Sequence, residues 1–276
     1  MCRIERKARA NPLIRSRIIA ADMTHGVQFD FNYTFSKSID LASDAERIAP
    51  ASSISSLNNI IINAWAPQRE RGVSSFDATH QLNANWVAEM PFGRGRLIGN
   101  GAHGPLDAVI GGWQLSGLFR WTSGFPVNVD NGYSNFPTNF EQEGNANLVA
   151  PVTTGAYHIK SGPDAGNVNI FANGPAAINS FAPAYAGQSG QRDVIRGAGY
   201  FGIDMGLAKR WKMPFSEKQS LQFRWEVFNI TNSAIFDVQS SLLSSALTLG
   251  SGGSFGNYSG LLNNPRIMQF ALRYEF

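Results

Sequence analysis

Cysteine, histidine and charged residues are all scarce in this chain. Among its 276 residues there is one cysteine, Cys2, and there are four histidines. A single cysteine excludes an internal disulfide and any metal site built from several thiolates. The histidines, at positions 25, 80, 103 and 158, have neither the HExxH spacing nor any other metal-binding spacing. We therefore expect neither a metal nor another cofactor.

Long apolar runs are missing too. No run approaches the roughly 20 residues that a membrane-spanning helix needs, which argues against a helical membrane protein. Charged residues make up only 16% of the chain, whereas about 25% is usual in soluble domains. The net charge of +3 is small and dispersed, so the sequence predicts no nucleic-acid surface. Strands of a membrane β-barrel are still allowed, because only every second residue in them is apolar.

The amino-terminal segment lacks the features of a secretory signal. Residues 1–10 are basic, but no apolar core of about 7–15 residues and no small-residue cleavage site follow them. Two interpretations are open: the protein stays in the cytosol, or the chain lacks its native amino terminus. The remaining sequence favours the second interpretation.

The carboxy-terminal segment, residues 266–276, carries the clearest pattern. Its apolar residues occupy every second position: Met268, Phe270, Leu272, Tyr274 and Phe276. Side chains of a strand point to opposite faces with a period of two, so one face is apolar and the other mostly polar. This pattern is typical of a lipid-facing barrel strand that ends on an aromatic. A half-buried strand of a soluble sandwich alternates in the same way.

Five earlier segments alternate like the last one. They are residues 27–36, 81–92, 113–122, 201–211 and 221–228. The charges on their polar faces and on that of the last segment are Asp30, Glu89, Arg120, Asp204, Arg224, Glu226, Arg273 and Glu275. These charges would make a poor soluble core but an ordinary lining for a watery lumen. We expect Arg120, Arg224 and Arg273 to balance the acidic residues among them. Lys209 interrupts one apolar face near a strand end, where it could reach the membrane interface.

Loop lengths and aromatic positions agree with this interpretation. The long connections 38–78, 130–198 and 231–264 alternate with the shorter connections 93–111 and 213–217. One strand end carries a predicted aromatic girdle of Phe92, Trp113, Trp211 and Phe276. The other end collects Tyr33, Phe35, Trp121, Phe125, Tyr200 and Phe228.

These features together predict an all-β fold. We expect an antiparallel transmembrane β-barrel portion of about six strands, with long extracellular loops and short periplasmic turns. Single-chain membrane barrels start at about 8 strands, so we expect six strands to be part of a larger barrel.

Several blocks resemble one known family. They are residues 29–40, 76–83 leading to Met90-Pro-Phe-Gly93, 111–120, 199–204, 226–232 and 264–276. The ordered series is similar to the distal barrel of TonB-dependent outer-membrane receptors, most of all the Oar-like branch. The resemblance covers residues 26–276, which would be the carboxy-terminal part of the barrel. Residues 1–25 lie outside it and are expected to be disordered or a non-native start.

The resemblance implies a partner for each side of the membrane. In such receptors a barrel of about 22 strands surrounds a plug, and import of a bulky nutrient is driven by an energy-coupling TonB-type protein of the inner membrane. The plug is missing from the matched blocks, so we do not expect energised transport by this chain alone.

The alternating Phe270, Leu272, Tyr274 and Phe276 match the signal read by the barrel-assembly machinery. The same residues could simply face outer-membrane lipid.

Other candidate chemistry is weak. Asp77 and His80 could form a catalytic pair, but a structural hydrogen bond at a strand end is the favoured interpretation. The glycines of residues 93–95 and 99–101 lack both the GxGxxG spacing and a following helical pattern, which indicates turns. Asn32-Tyr-Thr and Asn229-Ile-Thr match the glycosylation pattern, which has no meaning in a bacterial compartment. We expect no enzyme.

Three functions therefore stay open. The first is an outer-membrane receptor portion whose outer loops, above all residues 130–198, meet a bulky ligand of unknown identity. The second is a non-transporting surface protein that uses those loops for adhesion. The third is a soluble β-rich binding domain, which the missing signal peptide would suit.

Overall fold

Most of the regular secondary structure in the described part of the chain is β-strand. A computed structural model describes residues 2–5, 14–24, 26–41, 43, 66–132, 144–185, 188–213, 216–238 and 246–276. The strands in this part of the chain are β1 (Cys2–Glu5), β2 (Ile14–Thr24), β3 (Val27–Ser36), β4 (Ile39–Asp40), β5 (Gly72–Val73), β6 (His80–Glu89), β7 (Trp113–Thr122), β8 (Pro126–Val127), β9 (Asn147–Leu148), β10 (Thr154–His158), β11 (Val168–Phe171), β12 (Phe181–Ala182), β13 (Ile195–Arg196), β14 (Tyr200–Met213), β15 (Ser216–Phe228) and β16 (Ile267–Glu275).

Helical structure is confined to short segments. There is one α-helix in the described ranges, α1 (Pro105–Ile110), and 3₁₀ turns occur at Pro67–Glu70, Gly174–Ser180 and Gly252–Ser254. Among the described residues no helix has the length and apolar character needed to cross a membrane.

Eight antiparallel strands form one sheet, in the order β1-β2-β3-β6-β7-β14-β15-β16. Each strand pairs with the strand that precedes it in this order, so the sheet is a meander of long strands. Six of them coincide with the six alternating segments, which confirms the predicted antiparallel class. Within the described residues β1 and β16 each pair on one side only, so the sheet is open.

Two strands lie in the first 25 residues, where the sequence predicted none. β2 pairs with β3 along nearly its whole length, and Arg15 and Arg17 stand opposite Phe35 and Tyr33. Basic residues therefore occupy positions of β2 that match the apolar positions of its neighbour. This is why β2 shows no clean alternation, and only its pairing with β3 reveals it as a strand.

The register keeps apolar and polar positions on separate faces across the sheet. One cross-strand row consists of Phe29, Trp86, Gly117, Met205, Val227 and Met268. A row of the other parity consists of Gln28, Val87, Ser116, Gly206, Glu226 and Gln269. We call the first side the apolar face and the second the polar face. A shift of one residue in any pairing would exchange the two, so the apolar pattern specifies this register.

Gly117 illustrates packing on the apolar face. A Cβ atom at this position would lie 2.1 Å from Cζ2 of Trp86. The indole ring of Trp86 therefore covers the bare backbone of Gly117 on the neighbouring strand. A larger residue at position 117 would displace that ring.

The buried core lies in the loops and not in the sheet. Three connections meet at one end of the sheet: residues 37–79, 123–199 and 229–266. We call their described residues the loop cap. The buried hydrophobic cluster consists entirely of cap residues: Val127, Val129, Ala146, Ile170, Phe171, Ala177, Phe181, Ile195, Val238, Leu247 and Phe255. The expected long loops are therefore a packed layer.

The connection at the opposite end contains a helix that the sequence did not predict. The expected turns are present, since Gly93, Gly95 and Gly99 all have positive φ. The expectation that no helix follows them was wrong, because α1 starts at Pro105. Proline suits the first position of a helix, and six residues are too few to produce a visible helical period. The strand before this connection ends at Glu89, so Phe92 lies outside it.

Candidate functional site

The predicted lumen-facing charges share the polar face of the sheet. Arg224 and Glu226 form an ion pair at 2.6 Å, and Glu275 is bound by Arg210 at 3.2 Å and by Arg273 at 3.6 Å. These pairs supply the charge balance expected from Arg224 and Arg273. Because the pairs are largely exposed, they add little stability and mainly keep this face wettable.

The other charges of the polar face lie toward its two ends. Asp204 Oδ1 accepts a 2.8 Å hydrogen bond from the backbone N–H of Asn229 at the cap end. At the opposite end Glu89 pairs with Arg96 at 2.5 Å. Asp30 stands opposite Asn85, and Arg120 stands opposite Asn83 and Gly202. Among the described residues no ion pair includes Arg120, although it was expected to balance acidic neighbours.

The predicted assembly signal forms the exposed apolar edge of the sheet. Phe270 is 68% exposed and Phe276 is 94% exposed, with Leu272 and Tyr274 between them also exposed. The ring of Phe270 stacks on that of Trp225 in the neighbouring strand, with 6.1 Å between centroids and 4° between planes. The signal residues are thus ordered by cross-strand packing yet remain accessible to a partner or to lipid.

The predicted girdle residues gather at the end of the sheet away from the cap. Trp113 and Trp211 lie on the apolar face one strand apart, and the ring of Trp113 meets Phe223 edge-on at 6.2 Å. Phe92 bridges to Ile98 within the neighbouring connection. Phe276 follows the last strand at this same end.

Three of the six aromatics predicted for the opposite end lie off the apolar face. Phe125 packs against the buried cap cluster. Tyr200 pairs with Thr122, and Phe228 with Ile267, both on the polar face. Tyr200 and Phe228 thus lie at the predicted end of the sheet but on its polar face.

Within the cap, aromatic stacking forms the centre of the buried cluster. The rings of Phe171 and Phe255 are parallel at 5.3 Å, and Phe181 meets both at 5.8 Å. Tyr258 joins two segments: its hydroxyl donates to Gly155 O at 2.8 Å and accepts from Ala198 N–H at 3.2 Å. Burial raises the pKa of Tyr258 to about 12, so the hydroxyl keeps its proton at all physiological pH values.

A second cap cluster consists of charged side chains and joins the first cap connection to the second. Arg192, whose side chain is 1% exposed, forms a salt bridge to Asp40 and donates to Asp40 O at 3.1 Å. Arg196 binds Asp77 Oδ2 at 2.5 Å and Asp77 O at 3.0 Å. Ser75 Oγ donates to Asp193 Oδ2 at 2.9 Å. We call these residues, together with Glu70, the charged clasp.

Glu70 is the least satisfied member of the charged clasp. It is 1% exposed, and neither carboxylate oxygen has a hydrogen-bond partner within the described part of the chain. Burial raises the pKa of Glu70 more than the Ser189 hydroxyl and the Arg192 charge lower it. Asp40 shows the opposite net effect. Burial raises its pKa, but hydrogen bonds from Ser74, Ser43 and Arg192 bring the pKa below its ordinary value.

Sequence reasoning missed the charged clasp. Its members lie up to 152 positions apart, and none of them belongs to a recognisable spacing. Only the pair Asp77 and His80 was considered. Asp77 binds Ser38 N–H at 2.7 Å and Thr79 Oγ1 at 2.8 Å, whereas His80 Nδ1 lies 2.8 Å from the Tyr33 hydroxyl. Both residues therefore have separate structural bonds, as the favoured interpretation expected.

A cavity of about 290 Å³ opens at the rim where the polar face meets the cap. It is lined by Tyr200, Gly202, Asp204, Phe228, Asn229, Ile235, Asn263, Asn264, Pro265 and Ile267. Aromatic rings, amides and one carboxylate therefore face a shared space, which suits a ligand with both apolar and hydrogen-bonding groups.

Asparagines build the wall of this rim cavity. Asn229 has φ of 51°, and its side chain donates to Ser233 O at 3.0 Å and to Asn264 O at 3.1 Å. Asn263 Oδ1 accepts from Ile235 N–H at 2.9 Å. The Asn229-Ile-Thr sequence is thus a side-chain-stapled turn, since asparagine tolerates the left-handed conformation.

The described residues contain no group of three or more His, Cys, Asp or Glu side chains that could hold a metal ion. The charged clasp has more carboxylates than arginines, but its geometry is that of ion pairs joining loops.

Comparison with known proteins gives one family. The family described as an outer membrane beta barrel domain matches residues 19–269. No curated protein and no solved structure matches the chain. The family match begins inside β2, so it includes part of a strand that the alternation pattern did not show.

Proposed function

The chain belongs to this outer membrane β-barrel family, and from that premise we propose that it is the barrel and cap portion of a TonB-dependent receptor that admits a bulky ligand. Its location is the outer membrane. The apolar face lies against lipid and the polar face, with its charges, lines the lumen. The cap lies on the extracellular side. This location removes the soluble-domain alternative.

The observation that carries the receptor proposal is the position of the rim cavity. Asp204 and Tyr200 lie on the polar face of β14, and Asn229 and Asn263 come from the cap. A ligand held there would contact an ordered cap and the start of the lumen at once. A ligand-binding site at the entrance of a passage is what an importing receptor needs. Within the part of the chain that the structure describes, no side-chain constellation calls for chemical conversion of the ligand, and we propose a non-enzymatic protein.

The receptor proposal implies an energy source in the inner membrane. Probes of two chemical classes, a fluorescein-labelled oligosaccharide series and a labelled oligopeptide series, can be offered to cells that produce this barrel portion within an intact receptor, with its plug and energy-coupling protein present, and to cells that lack that receptor. We expect producer-specific uptake of at least one series, abolished by a protonophore. The Asp204→Asn/Asn229→Gly variant, which keeps the turn conformation, should reduce that uptake. Uptake that is equal in both cells, or that the protonophore leaves intact, contradicts the proposal.

Adhesion is a second candidate because the cap exposes apolar side chains. Val149 is 61% exposed, and Tyr185, Leu261 and Leu262 are exposed as well. In the uptake experiment an adhesive protein would hold the probe on the cell surface. That retention would persist with the protonophore and would disappear on substitution of Tyr185 and Val149 by serine.

We also propose that the barrel-assembly machinery recognises the terminal strand through Phe270, Leu272, Tyr274 and Phe276. Phe276→Gly should strongly reduce the amount of protein recovered in the outer-membrane fraction. Phe35→Gly removes a ring from the same face of a strand that is not terminal, and it should have a smaller effect. Equal losses for the two variants would show that these aromatics only face lipid.

A further inference from the structure

The connection between β6 and β7, residues 90–112, is a closed and compact loop that contains α1; we call it the α1 loop. Gly93 and Gly111 touch at its base, since a Cβ on Gly93 would lie 2.5 Å from Cα of Gly111. Gly93 N–H donates to Ile98 O at 2.9 Å, and Ile98 N–H donates to Pro91 O at 2.9 Å. Arg94 N–H donates to Asp107 Oδ1 at 2.6 Å. These bonds give the loop a fixed shape.

The α1 loop rests on the apolar face of the sheet. Trp211 Nε1 donates to Ala108 O at 2.7 Å, and Trp113 Nε1 donates to Val109 O at 2.8 Å. Lys209 Nζ donates to Val109 O at 2.9 Å and also to Gly111 O. Trp113, Lys209 and Trp211 all have the parity of the apolar face. The last carbonyls of the helix are therefore capped by side chains that point toward lipid.

Lys209 is explained by this contact. It is a cation on an otherwise apolar face, yet it is buried, and its ammonium lies 5.2 Å from the ring centroids of both Trp113 and Trp211. Backbone carbonyls at a helix carboxyl end and indole rings both favour a positive charge. Lys209 thus holds the α1 loop beside the lipid-facing strands. Its ammonium binds carbonyls of the loop and does not extend to the water interface.

The surface that the α1 loop presents includes four exposed apolar side chains together with the exposed Arg94 and Arg96. Leu97 is 88% exposed and Val109 is 65% exposed, and Ile98 and Leu106 are also exposed. Leu106 and Val109 belong to α1, whose carbonyls bind the girdle residues Trp113 and Trp211, and Leu97 and Ile98 lie in the turn before α1. A segment with exposed leucine, isoleucine and valine beside tryptophan and lysine has the composition of an interfacial membrane anchor.

We propose that the α1 loop is an interfacial anchor that inserts Leu97, Ile98, Leu106 and Val109 into the periplasmic leaflet of phospholipid. The partner is phospholipid because the loop is held against strands whose neighbouring surface already faces lipid. The anchor fixes the depth of the barrel wall in the bilayer. It is independent of whether the barrel imports a ligand, so it goes beyond the receptor proposal.

Site-directed fluorescence can test the anchor in the full chain. Cysteines replace Leu97 and Val109 singly in a Cys2→Ser background and are labelled with bimane. The labelled proteins are reconstituted into phosphatidylethanolamine/phosphatidylglycerol vesicles, and the membrane-embedded fraction is isolated by flotation. Val149→Cys in the cap is the water-exposed control, and Phe270→Cys on the apolar face is the lipid-exposed control.

We expect the labels at positions 97 and 109 to resemble the label at position 270. Their emission should shift to the blue, brominated phospholipid should quench it, and aqueous iodide should not. If either label shows the iodide quenching of the position-149 label, the anchor is overturned.

A second measurement needs no label. In the Leu97→Ser/Val109→Ser variant the backbone carbonyls that bind Trp113, Lys209 and Trp211 are unchanged, so the loop should still dock on the strands. Loss of insertion should make Arg94 and Arg96 more accessible, and tryptic cleavage there in opened vesicles should be faster than in the unsubstituted protein. Equal cleavage rates would contradict the proposal.

Discussion

In the loop cap, Phe171 and Phe255 stack on each other without contact with solvent, whereas in the sheet Phe270 leaves 68% of its surface uncovered by protein. The same side chain thus has two environments in one chain. The cap buries its apolar residues among themselves, as a soluble domain does. The sheet turns its apolar residues outward, where lipid completes their packing. Protein–protein packing therefore stabilises the cap, and the sheet depends on backbone pairing and on the membrane.

Charges differ between the two regions in the same way. Arg192 in the cap is buried within an ion-pair cluster, and its removal would leave the carboxylates of Asp40 and Asp193 without their arginine. Arg224 in the sheet is 55% exposed and forms a direct, solvent-exposed pair with Glu226. Buried pairs resist disruption much more than exposed ones do. The comparison predicts that matched substitutions in the two regions differ strongly in effect.

The largest difference should come from removing a phenyl ring. Phe171→Ala creates a cavity in the cap core and should lower its local opening free energy by about 3–5 kcal/mol. Phe270→Ala removes a ring that lipid can replace, so the opening free energy of the sheet should change far less. Amide hydrogen exchange of β11 and β16 in the membrane-embedded protein measures both quantities. Equal losses would mean that the cap is no better packed than the sheet.

The charged clasp should give the next largest difference. Arg192→Met leaves Asp40 without its arginine and should destabilise the contact between the first two cap connections by about 3 kcal/mol or more. Arg224→Met breaks an exposed pair and should cost about 0.2–1 kcal/mol. Protection of the Gly72–Val73 strand against proteolysis reports the first, and exchange in β15 reports the second. A clasp variant with unchanged protection would show that the cap connections pack without it.

A smaller, pH-dependent effect should come from Glu70. Because burial raises its pKa, the folded cap binds this proton more tightly than the unfolded chain does. Its stability therefore falls as pH rises from the ordinary value of 4.5 through the raised folded-state pKa, and then levels off. Glu70→Gln removes this loss, so the variant should gain stability over the unsubstituted cap above pH 4.5 and not below it.

Exchange measured in β11 across this pH range tests the Glu70 prediction. Asp40 acts in the opposite sense: its lowered pKa adds stability that disappears only as pH falls below 3.8 through the folded-state pKa. The two carboxylates therefore affect different parts of the pH profile. A stability difference between the Glu70 variant and the unsubstituted cap that does not grow with pH would contradict the assignment.

The sheet could be predicted from sequence because each strand repeats one simple rule. Val27, Phe29, Phe31, Tyr33 and Phe35 alternate without interruption, and the later strands follow the same pattern with an interruption at Lys209. Lipid is a uniform partner, so a lipid-facing residue does not have to complement a particular distant side chain. The pattern can therefore be read from each segment alone. β2 escaped detection because Arg15 and Arg17 occupy positions on the apolar side, and only pairing with β3 identifies them.

The cap could not be predicted because its partners are distant and follow no period. Phe171 meets Phe255 across 84 positions, and Arg192 meets Asp40 across 152. Glycine, serine and asparagine in these stretches predicted loops, and the described residues of the stretches do form loops. Their packing is decided by long-range contacts between segments that carry no helix or strand pattern. The α1 loop was missed for a related reason, since six helical residues are too few to show a period.

Alternating accessibility along β15 tests most directly the central claim that the apolar face of the sheet lies in lipid and the polar face in water. Single cysteines at positions 222 to 227, in the Cys2→Ser background, are exposed to a membrane-impermeant maleimide in opened outer-membrane vesicles. We predict reaction at Gln222, Arg224 and Glu226 and none at Phe223 and Trp225, where brominated phospholipid should quench an attached fluorophore instead; Val227 is buried by protein and should be protected from both reagents. Equal reactivity of both sets would contradict an apolar face in lipid and a polar face in water.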